Sequence, residues 1–229
     1  MSGRPLALVT GASRGIGAAV AAALADTHDV LLGGRDLPVL EKQARALPGA
    51  RPWPVELTDP VALVAATSGV GELDVLVHSA GIAELGRLGV ATLDSWRRTF
   101  EVNVFAVAEL TRQLLPALRA REGHVVLVNS GSGLRANPNW GAYAASKFAL
   151  RAYADVLRAE EPALRVTSVY PGRTATGMQR AIREVEGDAY EPELYLRPES
   201  VAAAVLAAVT AAPEAHLTDV SVRPTKERR

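Results

Sequence analysis

The chain has no cysteine among its 229 residues. Disulfide frameworks, cysteine-ligated zinc and thiol nucleophiles are therefore excluded. It has no excess of either charge, since Lys plus Arg and Asp plus Glu are both 25. That balance gives no electrostatic basis for nucleic acid or an anionic membrane as the main partner. Lysine is scarce: of the 25 basic residues only Lys42, Lys147 and Lys226 are lysines. A lysine kept within such an arginine bias carries slightly more information than usual. Long apolar runs are missing too. Met1-Ser2-Gly3-Arg4 leads into an apolar run of a few residues, which predicts neither a signal peptide nor a membrane span and makes a cytoplasmic setting the expectation. No His/Asp/Glu cluster suggests a metal site.

What is present is a globular composition, 48% hydrophobic and 22% charged, in a chain long enough to bury a substantial core. Short runs rich in Val and Leu, at 6–10, 30–33, 52–57, 74–78, 124–129, 165–170 and 216–222, lack the alternation of a one-sided sheet. They suit strands buried on both faces. Between them, 16–25, 38–47, 61–67, 93–118, 143–160 and 198–211 have helical spacing. Strand and helix alternating in this way predict an α/β fold: a Rossmann-like, doubly wound, parallel seven-stranded sheet with helices on both faces. No composition break or repeat divides the chain, so a single domain is expected over 1–229, with only the charged tail from Pro224 frayed.

After the first strand comes Thr10-Gly11-Ala12-Ser13-Arg14-Gly15-Ile16-Gly17, and then an alanine-rich helix. Gly11 permits a tight turn, Gly15 lets backbone approach a pyrophosphate, and Gly17 allows the helix to pack closely on the sheet. The helix N-terminus would offer N–H groups and a positive dipole end to the phosphates. A glycine triplet alone also fits a turn with no ligand. Its place between a first strand and a first helix favours dinucleotide binding.

The Gly-x-x-x-Gly-x-Gly spacing behind Thr10 resembles the short-chain dehydrogenase/reductase family, and the resemblance runs over essentially the whole chain. It implies that Ser13, Arg14 and Ile16 help bind the cofactor. The second strand ends Gly33-Gly34-Arg35-Asp36. Where NAD-preferring relatives carry an acid, this chain has Gly34, and the Arg35 that follows can take a 2′-phosphate with Arg14 assisting. NADP (as NADPH) is thus the expected cofactor, with NAD the less favoured one. Arg35 also reads as a solvated charge, and Asp36 as a helix cap. The resemblance puts Glu56-Leu57 at the adenine, although the family has Asp there. It puts Ser79, Ala80 and Gly81 beside the ribose in a His78-Ser79-Ala80-Gly81 segment where relatives have Asn-Asn-Ala-Gly. His78 reads as structural rather than catalytic.

Tyr143 and Lys147 stand one helical turn apart in Tyr143-Ala144-Ala145-Ser146-Lys147. A phenol with pKa near 10 is a poor acid/base at neutral pH, and bringing it to about 7 takes about 4 kcal/mol from a neighbouring cation. On its own such a pair also fits a core Tyr and a surface Lys. Ser130, just after the fifth strand at the carboxyl edge, and Asn103, polar within a long helical segment, complete the family's tetrad. The resemblance makes Ser130 the hydrogen-bond partner of the substrate oxygen and Asn103 the holder of a water linked to Lys147. Pro171-Gly172-Arg173-Thr174-Ala175-Thr176 matches the segment that meets the nicotinamide, with Thr174 and Thr176 contacting its carboxamide and the diphosphate. In the mechanism implied, NADPH gives hydride to a carbonyl carbon while Tyr143 protonates the oxygen.

The substrate is expected to be a small carbonyl compound or alcohol. Its pocket is expected from Leu134, Trp140, Met178 and the segment 179–196 with Tyr190 and Tyr195, the last read as a short, mobile lid. Arg135 and Arg183 are candidates to pair with an acid. An NAD-linked alcohol or sugar dehydrogenase is the alternative, and a non-catalytic dinucleotide sensor is a third. Helical segments apolar on more than one face predict a homodimer or homotetramer.

Overall fold

The computed structural model describes residues 3–226. Residues 227–229 of the expected frayed tail lie outside it. Seven strands form one sheet: β1 (Leu6–Val9), β2 (Asp29–Gly34), β3 (Ala50–Pro54), β4 (Val75–His78), β5 (His124–Val128), β6 (Arg165–Pro171) and β7 (Asp219–Val222). Their order is β3-β2-β1-β4-β5-β6-β7, and every neighbouring pair is parallel. The order reverses between β1 and β4, which opens a crevice at the carboxyl ends of those strands.

The helices that cover the sheet are α1 (Gly15–Leu24), α2 (Leu37–Ala46), α3 (Pro60–Thr67), α4 (Leu93–Phe100), α5 (Ala106–Arg119), α6 (Gly141–Glu160), α7 (Gly177–Glu186) and α8 (Pro198–Val209). Alternate residues of the central strands feed two separate cores. Val75, Val77 and Val126 meet Val20, Leu24, Val201 and Val205 on one face. Leu76, Val125 and Leu127 meet Leu110, Leu114, Leu118 and Leu150 on the other. Each such leucine, fully buried, contributes about 1.5–3 kcal/mol. The caps follow the sequence. Asp36 accepts a hydrogen bond from Val39 N at 3.2 Å to start α2, and Asp59 accepts from Val61 N at 2.9 Å to start α3.

Three elements differ from the sequence expectation. The long segment 93–118 is interrupted by a π-helical turn at Glu101–Phe105. Strand β3 lies at Ala50–Pro54 rather than 52–57, and it pairs on one side only. The expected lid contains a full helix, α7, whose N-cap is Thr176 and which ends at Gly187.

Candidate active site

The crevice is built first by the turn between β1 and α1. Gly11 and Gly15 both have positive φ, 67° and 58°. A Cβ on Gly11 would stand 2.9 Å from the Ala80 backbone, and one on Gly15 would stand 3.3 Å from Thr176 Cγ2. Thr10 ties the two strand ends together, since its hydroxyl accepts from Ser79 N at 3.1 Å and Ala80 N at 3.2 Å. No side chain caps α1, so its first N–H groups face the crevice without a side-chain partner. An uncapped N-terminus behind a turn that requires glycine at position 11 fits a dinucleotide's phosphates.

Where the resemblance puts the adenine, Arg35 and Glu56 meet each other. Arg35 Nη1 donates to Glu56 Oε2 at 3.4 Å, and Glu56 Oε1 accepts from Thr58 N and Oγ1 at 3.2 and 2.9 Å. Burial opposes ionisation of Glu56, but the Thr58 hydrogen bonds and the Arg35 charge outweigh it and hold the carboxyl below its usual range. Asp36 is occupied as the α2 cap, and Leu57 packs against the second core.

The four residues of the expected tetrad come together at the carboxyl ends of β4 and β5. The π-helical turn points Asn103 inward, where it is 1% exposed. Its Oδ1 accepts from Ile82 N at 2.9 Å, and its Nδ2 donates to Ile82 O at 2.9 Å and Ser146 Oγ at 3.0 Å. Lys147 is 5% exposed and donates to Val128 O at 3.1 Å. A Cβ on Gly81 would stand 3.2 Å from Asn103 Oδ1 and 3.9 Å from Lys147 Nζ, so this glycine keeps open the space between amide and ammonium. Tyr143, 7% exposed, lines the same cleft as Ser130. Burial pushes the Tyr143 phenol up from its usual value, and the Ser130 hydroxyl only partly offsets that rise. Burial brings Lys147 down to about 8.

A cleft of about 410 Å³ joins these parts, with Ile16, Ser130, Tyr143, Gly172, Thr174 and Thr176 in its lining. Trp140, Met178, Gln179 and Arg135 of the expected substrate pocket also line it, whereas Leu134 and Tyr195 do not. Tyr190 instead faces a neighbouring groove with Gly15 and Arg180, and stacks on that arginine at 4.5 Å. Arg183 is not offered to a ligand. It pairs with Glu186 at 2.6 Å and Asp188 at 2.9 Å, an arrangement that only the helix α7 brings about. Both threonine hydroxyls have local partners: Thr174 donates to Gly172 O at 3.0 Å, and Thr176 caps α7 by accepting from Gln179 N at 3.2 Å. Buried His78 is bonded to Thr111 of α5 at 2.9 Å, and burial lowers it to about 3, so it stays neutral, and it is not part of the cleft lining.

Three positioning residues escaped the sequence analysis. Asn129 accepts from Ser130 N at 2.9 Å and donates to Lys147 O at 3.1 Å, which links the serine turn to α6. Ser146 accepts from Asn103 and donates to Tyr143 O at 2.7 Å. Gln43 of α2 donates to Ser13 O at 3.0 Å and steadies the glycine turn. For Asn129 and Ser146, adjacency to Ser130 and Lys147 was the available signal. For Gln43 there was none.

Comparison with known proteins agrees with this geometry. The family model for short chain dehydrogenase matches residues 5–187. A glycine betaine reductase of Emericella nidulans is 34% identical over 99% of the chain, which spans only 19% of that protein's length. Dehydrogenase/reductase SDR family member 11 of Gallus gallus is 31% identical, with 97% of this chain and 96% of that protein covered. Among solved structures, an alcohol dehydrogenase of Thermococcus sibiricus complexed with 5-hydroxy-NADP has a TM-score of 0.89 at 27% identity, covering 98% of both chains. The chain belongs to the short-chain dehydrogenase/reductase family and is an NAD(P)-dependent oxidoreductase of CH–OH and carbonyl groups.

Proposed function

We propose that this protein, acting as one domain, is an NADPH-dependent reductase of small carbonyl compounds, with Tyr143 as proton donor and Asn103, Ser130 and Lys147 as its partners. The observation that carries it is that Tyr143 and Ser130 line one cleft, with buried Lys147 one turn behind the tyrosine. A bound nicotinamide dinucleotide supplies the hydride and, once oxidised, a positive charge. Gly11, Gly15 and Gly17 with Ser13, Arg14 and Ile16 hold its phosphates. Glu56, Leu57, Ser79, Ala80 and Gly81 flank its nucleoside, and Pro171, Gly172, Thr174 and Thr176 its nicotinamide end. Ser130 donates to the substrate oxygen, Tyr143 gives it a proton, and Lys147 stabilises the phenolate that remains. Asn103, tied to Ile82 and Ser146, fixes the approach through which Lys147 restores that proton.

NADPH is favoured over NADH because Gly34 presents no carboxylate to repel a 2′-phosphate and Arg35 follows it. The alcohol dehydrogenase of Thermococcus sibiricus was solved with an NADP derivative. One observation favours an NAD-linked dehydrogenase instead: Arg35 is already paired with Glu56. Arg35 is 76% exposed and Glu56 42%, and a pair open to solvent on one side is worth about 0–1 kcal/mol. Charge-assisted bonds to a phosphate are worth about 1.5–3 kcal/mol, so the phosphate displaces Glu56. A homo-oligomer is supported by apolar side chains left exposed on α4, the π-helical turn and α6, among them Leu93, Phe105 and Phe148. A screen of aldehydes and ketones that follows loss of reduced-nicotinamide absorbance tests the activity. Absence of turnover with every carbonyl, by folded protein that binds NADPH, contradicts it.

A further inference from the structure

Three arginines reach the cleft from three different segments: Arg135 from the turn after β5, Arg173 after β6 and Arg223 after β7. No aspartate or glutamate lines it. Arg173 is neutralised, since Glu186 receives both its Nη1 and Nη2 at 2.9 and 2.8 Å, and its guanidinium lies over Trp140. Arg135 and Arg223 have no ion pair among the described residues. Arg223 Nη1 is held by the carbonyls of Tyr170 and Val222. Its Nη2 lies 3.5 Å from where a Cβ on Gly131 would stand. One edge of the guanidinium is thus fixed to backbone, and the other lies against the turn that carries Ser130.

A second, uncharged donor has no partner. Gln179 lines the same cleft, is 5% exposed, and its Nε2 has no hydrogen-bond acceptor. A buried donor left without an acceptor is costly, and a ligand oxygen would relieve it. These groups belong to the β5–β6–β7 half of the sheet, while the glycine turn and Arg35 belong to the β1–β2–β3 half. The cofactor's 2′-phosphate, assigned to Arg35, therefore does not account for them.

We propose that the substrate carries an oxoanion, a carboxylate or a phosphate ester, which Arg135, Arg223 and Gln179 bind while its carbonyl meets Ser130 and Tyr143. This rests on the carbonyl-reductase activity proposed above and names the class of carbonyl it acts on. Arg135 presents a planar pair of donors that matches either anion, and Arg223 has the Nη2 side of its guanidinium left once Nη1 is held by backbone.

The test uses matched charged and neutral substrates with NADPH: acetoacetate against ethyl acetoacetate, succinate semialdehyde against butanal, and glyceraldehyde 3-phosphate against glyceraldehyde. Wild type, Arg135→Gln, Arg223→Gln and Arg223→Lys are compared by kcat/KM. Wild type is expected to prefer the charged member of at least one pair by about tenfold or more, mainly through KM, and less so at high salt. Whether a carboxylate or the phosphate pair responds identifies the anion. The two Gln variants are expected to collapse that preference, and Arg223→Lys to retain part of it. Arg135 is exposed, so its variant tests charge without disturbing the fold even if Arg223→Gln unfolds. Equal use of charged and neutral partners, or a preference unchanged in Arg135→Gln and in folded Arg223→Gln, overturns the proposal and leaves the reductase standing. If no carbonyl is reduced at all, the activity beneath the proposal fails, and the proposal with it.

Discussion

The Lys147 ammonium lies 5.8 Å from the centre of the Tyr143 ring, one turn along α6. Burial holds the phenol above its usual value and the ammonium below its own, at about 8. Without ligand, both groups are therefore biased toward their neutral forms. The bias on Lys147 costs stability, and the family's chemistry needs the charge that burial resists.

That cost gives a pH-dependent prediction. Unfolded, Lys147 has the ordinary value of 10.5; folded, it has about 8. Between these two values the unfolded chain binds the extra proton, so this group's contribution raises stability as pH increases from about 8 to 10.5. Below about 8 the full penalty stands, on the order of 3 kcal/mol at 1.36 kcal/mol per unit. Lys147→Met removes it but strips Val128 O of a donor, which gives back about 1 kcal/mol. Urea denaturation should find Lys147→Met more stable by about 2 kcal/mol at pH 7, with the difference shrinking toward pH 10, while turnover is lost. A less stable Met variant at pH 7 contradicts this assignment of cost.

Asn129 is expected to act through position. It is 4% exposed and joins Ser130 N to Lys147 O. Asn129→Ala leaves Ser130 N unpaired beside a small void and removes the tie to α6, a loss of about 2–4 kcal/mol. Its kcat should fall at least about tenfold with KM changed much less, because Ser130 and Lys147 drift from the reacting oxygen. Wild-type kcat in the folded variant would show that the link does not matter.

Much of this site was legible because its residues carry chemistry that packing does not require. Glycines at a strand–helix junction, a Tyr and Lys one turn apart, and a polar residue inside a helical run all stand out. The central strands were legible because β4 and β5 are buried on both faces. Strand β3 begins two residues before the expected 52–57 and ends three residues short of its end, with Pro52 and Pro54 inside it. At an edge, with only β2 beside it, their missing N–H groups cost nothing. The π-helical turn had no signal, since one extra residue per turn leaves composition unchanged, yet it is what turns Asn103 to Ile82 and Ser146. Helix α7 was missed because its ten residues bury only Gln179 and Ile182. Its ion pairs, which withdraw Arg183 and Arg173 from a ligand, depend on contacts that spacing alone does not reveal.

Cofactor preference should follow Arg35. Arg35→Ala should lose about tenfold or more in kcat/KM with NADPH and little with NADH. Gly34→Asp should move preference toward NADH. A Cβ there meets only the end of the Leu40 side chain, at 3.3 Å, which can yield. Equal effects on both cofactors, or a wild type that prefers NADH, contradict the NADPH assignment.

Association should be visible in solution. Light scattering at micromolar concentration is expected to give a dimer or tetramer, and Phe105→Arg, at a side chain 54% exposed, to shift it toward monomer. A wild-type monomer contradicts this.

Tyr143→Phe tests the central claim most directly. The substitution removes one oxygen and keeps the ring packed against Trp140, centroids 5.6 Å apart. Turnover of the best carbonyl substrate should drop at least about a hundredfold, while NADPH titrated by its fluorescence binds with nearly unchanged affinity. Near-normal turnover by folded, NADPH-binding Tyr143→Phe would contradict the account.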